Sequence, residues 1–138
     1  MNRGAEEGSV TGMLVVVMVV VLAFAGLALD GTRLLLARRD LQALADSAAL
    51  AGASSIDERR FRESGGSVVV LDPAGARFAA AAVVSTSGWP ADGRGSVEVS
   101  GTRVRVHLER PIGLTLLSLI GIAPPVIGAT ASADPRVG

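Results

Sequence analysis

His107 is the only imidazole in the chain, and it stands two residues from Arg105 and two from Glu109 in an alternating stretch, Thr102 to Glu109. Any His-based metal cluster or Ser-His-Asp arrangement would have to be built on that one ring. There is no cysteine, so thiol nucleophiles, disulfides and Cys-ligated metals are excluded. Strand alternation puts His107 on the same face as Arg105 and Glu109, which makes it an exposed strand residue. Asp30 and Asp46 lie sixteen residues apart. On one straight helix that is about 24 Å, too far for two carboxylates to share acid-base work. Gly4, Gly8 and Gly12 make no phosphate loop, and Gly93-Arg94-Gly95 lacks the flanking strand, Lys and Ser/Thr that phosphate binding needs. The expectation is therefore no catalytic residue, no cofactor site and no metal site. Trp89, beside Pro90, reads as a loop side chain folded over its own domain edge, with an interface anchor as the alternative.

The elements that would carry such residues are organised by one apolar run. Ser9 to Leu29 holds twenty-one residues without a charge. A bilayer core about 30 Å thick needs roughly 20 apolar helical residues, so this run is long enough to cross it. Helix-forming sequence then continues without proline through Asp30 and Gly31, which predicts a single helix from about Met13 to Ala53. Its first half is apolar all round. Its second half keeps Leu34, Ala37, Leu41, Leu44, Ala45, Ala48 and Gly52 on one stripe, with Arg39, Gln42 and Asp46 elsewhere. Small residues at Ala45, Ala48, Ala49 and Gly52 suit close approach of a sheet or a second helix.

One peptide bond reads as a candidate for signal-peptide cleavage. Ala23-Phe24-Ala25 is an A-x-A tripeptide after an apolar run, so signal peptidase would cut between Ala25 and Gly26 and release a soluble binding domain. The acidic pair Glu6-Glu7 before the run, and the helix-forming sequence through the cut, oppose that.

Across all 138 residues the formal charge balances, thirteen basic against thirteen acidic, which leaves no nucleic-acid footprint. Every basic residue is Arg. One Arg (Arg3) precedes the apolar run and three (Arg33, Arg38, Arg39) follow it closely, a bias that by itself would keep the following segment in the cytoplasm.

Beyond the helix, residues 54–66 read as a solvated connector, and Ser67 to Leu71 as a short strand. Asp72-Pro73-Ala74-Gly75 reads as a turn or helix start, and Ala76 to Ser85 as a second helix closed by Ser87-Gly88-Trp89-Pro90. Ser96 to Ser100 and Thr102 to Glu109 alternate as a hairpin about Gly101, with Val97, Val99, Val104, Val106 and Leu108 on one face. Pro111 to Ile122 is a compact apolar segment with Pro at its first turn. Val126 to Ala133 closes as a strand with Ile127, Ala129, Ala131 and Ala133 on one side. Pro111 to Ala133 is free of charge for 23 residues, so a second membrane span is the rival reading, against which Pro124-Pro125 interrupts the run.

The entry Glu7-Gly-Ser-Val-Thr11 before the apolar run, the Asp30-Gly31 pair, and Leu41-Gln-x-x-Ala-Asp-x-Ala-Ala-Leu-Ala-Gly-Ala53 together resemble the amino-terminal segment of TadE/TadG-like proteins, pseudopilin-type components of tight-adherence (Flp) pilus assembly. The resemblance covers residues 7–53. It implies an α+β, pilin-like fold, in which a long amino-terminal helix is transmembrane in its first half, amphipathic in its second, and packed on a small antiparallel sheet. It also implies a membrane anchor whose domain faces away from the cytoplasm, with other pilin-like subunits and the pilus assembly platform as partners and oligomers formed through the helix. In processed family members a Gly precedes the cut and a Glu sits fifth in the mature helix. Gly8 would be that Gly, with the implied cut between Gly8 and Ser9, and the fifth residue after it is Met13. The chain lacks the Asp-x-Ser-x-Ser run and the length of members that carry a metal-ion adhesion domain. The expected organisation is a short cytoplasmic segment 1–8, a span 9–29, an amphipathic extension 30–54 and an extracytoplasmic domain 55–138, with Leu34, Leu41, Ala45, Ala48, Ala49 and Gly52 as the packing face.

Overall fold

No proline interrupts the sequence from Gly4 to Ala53, and in the computed structural model, which describes residues 4–135 and only the backbone of residues 4–9, that stretch is one α-helix, α1 (Gly4–Ala53). It starts earlier than Met13 and ends where expected. The Ser54 N–H reaches the Leu50 carbonyl at 3.1 Å, the Ser55 N–H turns onto the Gly52 carbonyl at 3.1 Å, and the chain leaves the axis. α1 contains the one stretch among the described residues that is long and apolar enough to cross a membrane, with a mean hydropathy of 2.9 and 6% of its most apolar window buried.

Residues 54–66 are more than a connector. The Asp57 carboxylate accepts the N–H groups of Arg59 and Arg60, each at 3.1 Å, and starts α2 (Glu58–Glu63). An Arg62–Glu58 pair at 3.0 Å, one turn apart, supports so short a helix. The expected strand at Ser67 to Leu71 does not form; Ile56 and Leu71 make an isolated bridge instead. A valine run becomes a strand only beside another strand, and here the flanking backbone is occupied otherwise: Asp57 N–H donates to Val70 and Asp72 N–H to Ser55. α3 (Pro73–Thr86) starts three residues before Ala76, because Asp72 accepts the Ala74 N–H at 3.0 Å and Pro73 occupies the first turn, where no N–H is needed. It buries Ala76 and Ala80.

β1 (Arg94–Ser100), β2 (Arg103–Pro111) and β3 (Val126–Ala133) form an antiparallel sheet in the order β1-β2-β3. Gly101 takes φ +58° in the two-residue turn between β1 and β2, a conformation open to glycine at little cost. The register pairs Val97 with Val106 and Val99 with Val104, then Val106 with Ala131 and Leu108 with Ala129, so the apolar residues share one face. Val104, Val106, Leu108, Ile127, Ala129 and Ala131 are buried there. The fold class is α+β.

Pro111 does not open a helix. It ends β2 opposite Val126, and the Ile112 N–H extends the pairing onto the Pro125 carbonyl at 3.0 Å. Of the apolar segment after it only α4 (Leu116–Leu119) is helical. The stretch Pro111 to Ala133 is thus a strand end, one helical turn and a strand, with no membrane-length helix in it.

The chain divides into two compact units. One joins Met1–Leu35 to Gly113–Pro124; the other joins Leu36–Ile112 to Pro125–Gly138.

Candidate functional site

In the larger unit the stripe on α1 becomes a packing face. Ala37, Leu41, Ala45, Ala48, Ala49, Gly52 and Ala53 are buried. The small side chains let the helix lie close to its neighbours, and Gly52 marks the tightest point. A Cβ there would stand 2.9 Å from a Val104 methyl of β2 and 3.0 Å from the Ala76 carbonyl of α3. Gln42 adds a polar tether, donating to the Thr130 carbonyl of β3 at 3.3 Å and to Asp46 at 3.0 Å. Leu44 is half-buried and Leu50 is exposed. Leu34, in the smaller unit, is half-buried.

Trp89 folds back over its own loop, the indole lying where a side chain on Gly93 would have to stand. With Leu41, Leu44, Pro90, Asp40 and Arg110 it lines a cleft of about 280 Å³. The Arg110 Nε atom is buried there with no hydrogen-bond partner.

His107 is half-buried, its Nδ1 2.7 Å from the Thr130 hydroxyl and its Nε2 3.0 Å from Glu109. Both ring nitrogens are thus engaged by neighbours on the sheet. No group of three or more His, Asp or Glu side chains placed to hold a metal occurs among the described residues. At one end of the sheet, Arg103 at the start of β2 makes a two-pronged pair with Asp134 just after β3, both bonds 3.0 Å.

In the smaller unit stands a residue whose role the sequence reading passed over. Asp30 is 2% exposed, and its carboxylate accepts three backbone N–H groups: Thr115 at 3.0 Å, Leu116 at 2.9 Å and Leu117 at 3.1 Å. These are the unpaired donors that open α4. Thr115, in the N-cap position, makes no cap with its own side chain; its hydroxyl takes the Arg33 guanidinium instead. A carboxylate is costly to bury alone, and the three charge-assisted bonds are what offset that cost. Next to this latch Leu116 lies over Gly26, which is buried and leaves no room for a Cβ: one would fall 1.8 Å from the Leu116 Cδ1. The signal for Asp30 was present in its position. A lone acid closing a charge-free run needs a partner, and a charge-free segment elsewhere in the chain had backbone donors to offer.

The candidate processing bonds fall in different surroundings. Ala25-Gly26 lies inside unbroken helix, with Ala25 exposed and Gly26 covered. Gly8 and Ser9 belong to the part of α1 described by backbone alone, and Arg3 lies outside the described residues.

Residues 8–55 match the family model described as "Putative Flp pilus-assembly TadE/G-like". The matched segment coincides with nearly all of α1, taking in Asp30, Gly26 and the buried stripe but not the α4 residues that meet Asp30 and Gly26, and stops before α2. No curated protein and no solved structure matches the chain.

Proposed function

We propose that this chain is a structural, non-enzymatic subunit or assembly factor of a Tad/Flp-type pilus or secretion system, anchored in the membrane by residues 9–29 in the manner of a pseudopilin. The observation that carries the reading is the coincidence of the family match with α1. The matched residues are those that span and pack. In this reading residues 30–54 are the amphipathic extension and residues 55–138 the domain it supports. Its partners are other pilin-like subunits and the assembly platform, met through the exposed apolar surface of the first part of α1.

The domain faces away from the cytoplasm. Three Arg follow the span, but Asp30 and Asp40 sit among them, and a domain this long is translocated largely regardless of flank charge. Protease added to cells whose outer envelope has been opened should digest epitopes in residues 91–110. Protection until the inner membrane is lysed would overturn the orientation and an outward role in pilus assembly with it. Intact mass of the protein recovered from cells tests the anchor. Full length, or a cut after Gly8, keeps the span; a cut after Ala25 would make the product soluble and sink the proposal. The continuity of helix through Ala25-Gly26, with Leu116 seated on Gly26, supports retention.

A further inference from the structure

The segment from Gly113 to Pro124 belongs to the same compact unit as the first part of α1, and it is held there at two points: the Asp30 carboxylate on the α4 N–H groups and Leu116 on Gly26. Gly26 lies four residues before Asp30, so the Leu116 contact is about 6 Å towards the apolar run from the carboxylate. The segment therefore flanks the last turn of the charge-free run. Leu114 is buried and Leu116 lies on Gly26, but the later apolar side chains of the segment do not turn inward. Leu119 is 77% exposed and Ile120 72%, with Ile122 open to a lesser degree, and in the same unit Phe24, Leu27 and Leu29 of α1 are exposed as well.

We infer that the α4 segment is a membrane-interface anchor, with Leu119, Ile120 and Ile122 inserted into the headgroup–acyl boundary beside the span. This rests on the membrane reading above and adds a second point of lipid contact to it. Three features argue for lipid as the occupant. The exposed side chains belong to a segment fastened to the helix that spans, at Gly26 and Asp30. The segment holds no charge from Pro111 to Ala133. The backbone donors at the start of α4, which an apolar surrounding would otherwise leave unsatisfied, are consumed by Asp30. Apolar groups of interfacial segments reach about 5–10 Å into that boundary, a depth compatible with side chains level with the last turn of the span.

The chain's lack of cysteine makes the test direct. Full-length Ile120→Cys, Leu14→Cys and Glu98→Cys proteins, each carrying a polarity-sensitive fluorophore, are reconstituted into phosphatidylcholine/phosphatidylglycerol vesicles with doxyl-labelled lipid, the doxyl group placed shallow or deep. Position 120 should be quenched more strongly by the shallow label than by the deep one, position 14 the reverse, and position 98 by neither. If position 14 is quenched and position 120 stays in water, the interfacial anchor is wrong and the span stands. If neither is quenched, the membrane reading has failed and takes the anchor with it. A Leu119→Ser/Ile120→Ser variant that still inserts, and still shows the Leu14→Cys quenching pattern, should give a water-like emission maximum at a probe on Ile122→Cys. Unchanged emission there would also overturn the proposal.

Discussion

Gly52 and Gly31 sit in the same helix and should answer the same substitution in opposite ways. Replacing glycine by alanine within a helix gains about 1 kcal/mol in propensity. At Gly31 nothing lies within 4 Å of the new methyl, so Gly31→Ala should be neutral or stabilising by up to that amount. At Gly52 the methyl meets Val104 and the Ala76 carbonyl, and overpacking of this kind costs about 1–3 kcal/mol. Gly52→Ala should therefore lower the thermal midpoint of the purified protein in detergent while Gly31→Ala does not; equal effects would mean the helix is not pressed against β2 and α3. Asp30 gives a second test at this scale. Asp30→Ala removes the carboxylate that accepts three N–H groups, and amide exchange at Thr115, Leu116 and Leu117 should accelerate by at least about tenfold, the equivalent of one lost hydrogen bond of ordinary strength. Unaltered protection at those amides would mean the carboxylate does not hold the segment.

Elements whose signals are local could be read from the sequence, and those that depend on a distant neighbour could not. The β1–β2 hairpin is written in the alternation of Val97, Val99, Val104 and Val106 about a glycine, so its turn and face were legible, and so was β3. The course of α1 to Ala53 was legible because nothing in the sequence stops it. Ser67 to Leu71 carries equally good β-formers and is no strand, since no second strand lies beside it. The brevity of α4 was hidden for a related reason: its cap is Asp30, 85 residues before Thr115. Of the candidate site, the stripe around Leu41 and Ala45 could be read, and Asp30 was marked by its place at the end of a charge-free run, whereas its partners 85 residues later and the buried Arg110 Nε could not. The sheet also offers a pH test. Hydrogen bonds from Arg103, with its charge, hold the Asp134 carboxyl below the ordinary carboxylate value. A carboxyl with a lowered folded-state pKa adds stability that is present above its unfolded value and is lost as pH falls through the folded one. Asp134→Asn should thus lower the midpoint slightly at neutral pH, less at high salt because the pair is about half exposed, and not at all once the pH is below both values. A destabilisation that persists in strong acid would assign the effect to packing instead.

At the scale of the whole molecule, two compact units mean two places where a lesion can be absorbed. Leu41 is fully buried in the larger unit, and Leu41→Ala should cost about 2–5 kcal/mol there. Asp30→Ala, by contrast, acts in the smaller unit. Monitored by Trp89 fluorescence, which reports the larger unit alone, the leucine variant should melt early and the aspartate variant close to wild type. Similar losses in both would mean the units unfold as one.

The separation of 85 residues between Asp30 and Thr115 also has a meaning in time. A ribosome adds about 5–20 residues per second, so a growing chain carries Asp30 for on the order of ten seconds before the amides that satisfy it have been made. If α1 enters the bilayer as it emerges, that carboxylate waits at the membrane edge, and must stay hydrated there, until β2 has been synthesised and the following segment can dock. The latch is then among the last contacts to close during biogenesis, and a chain cut short before Gly113 would still insert its helix yet never complete it.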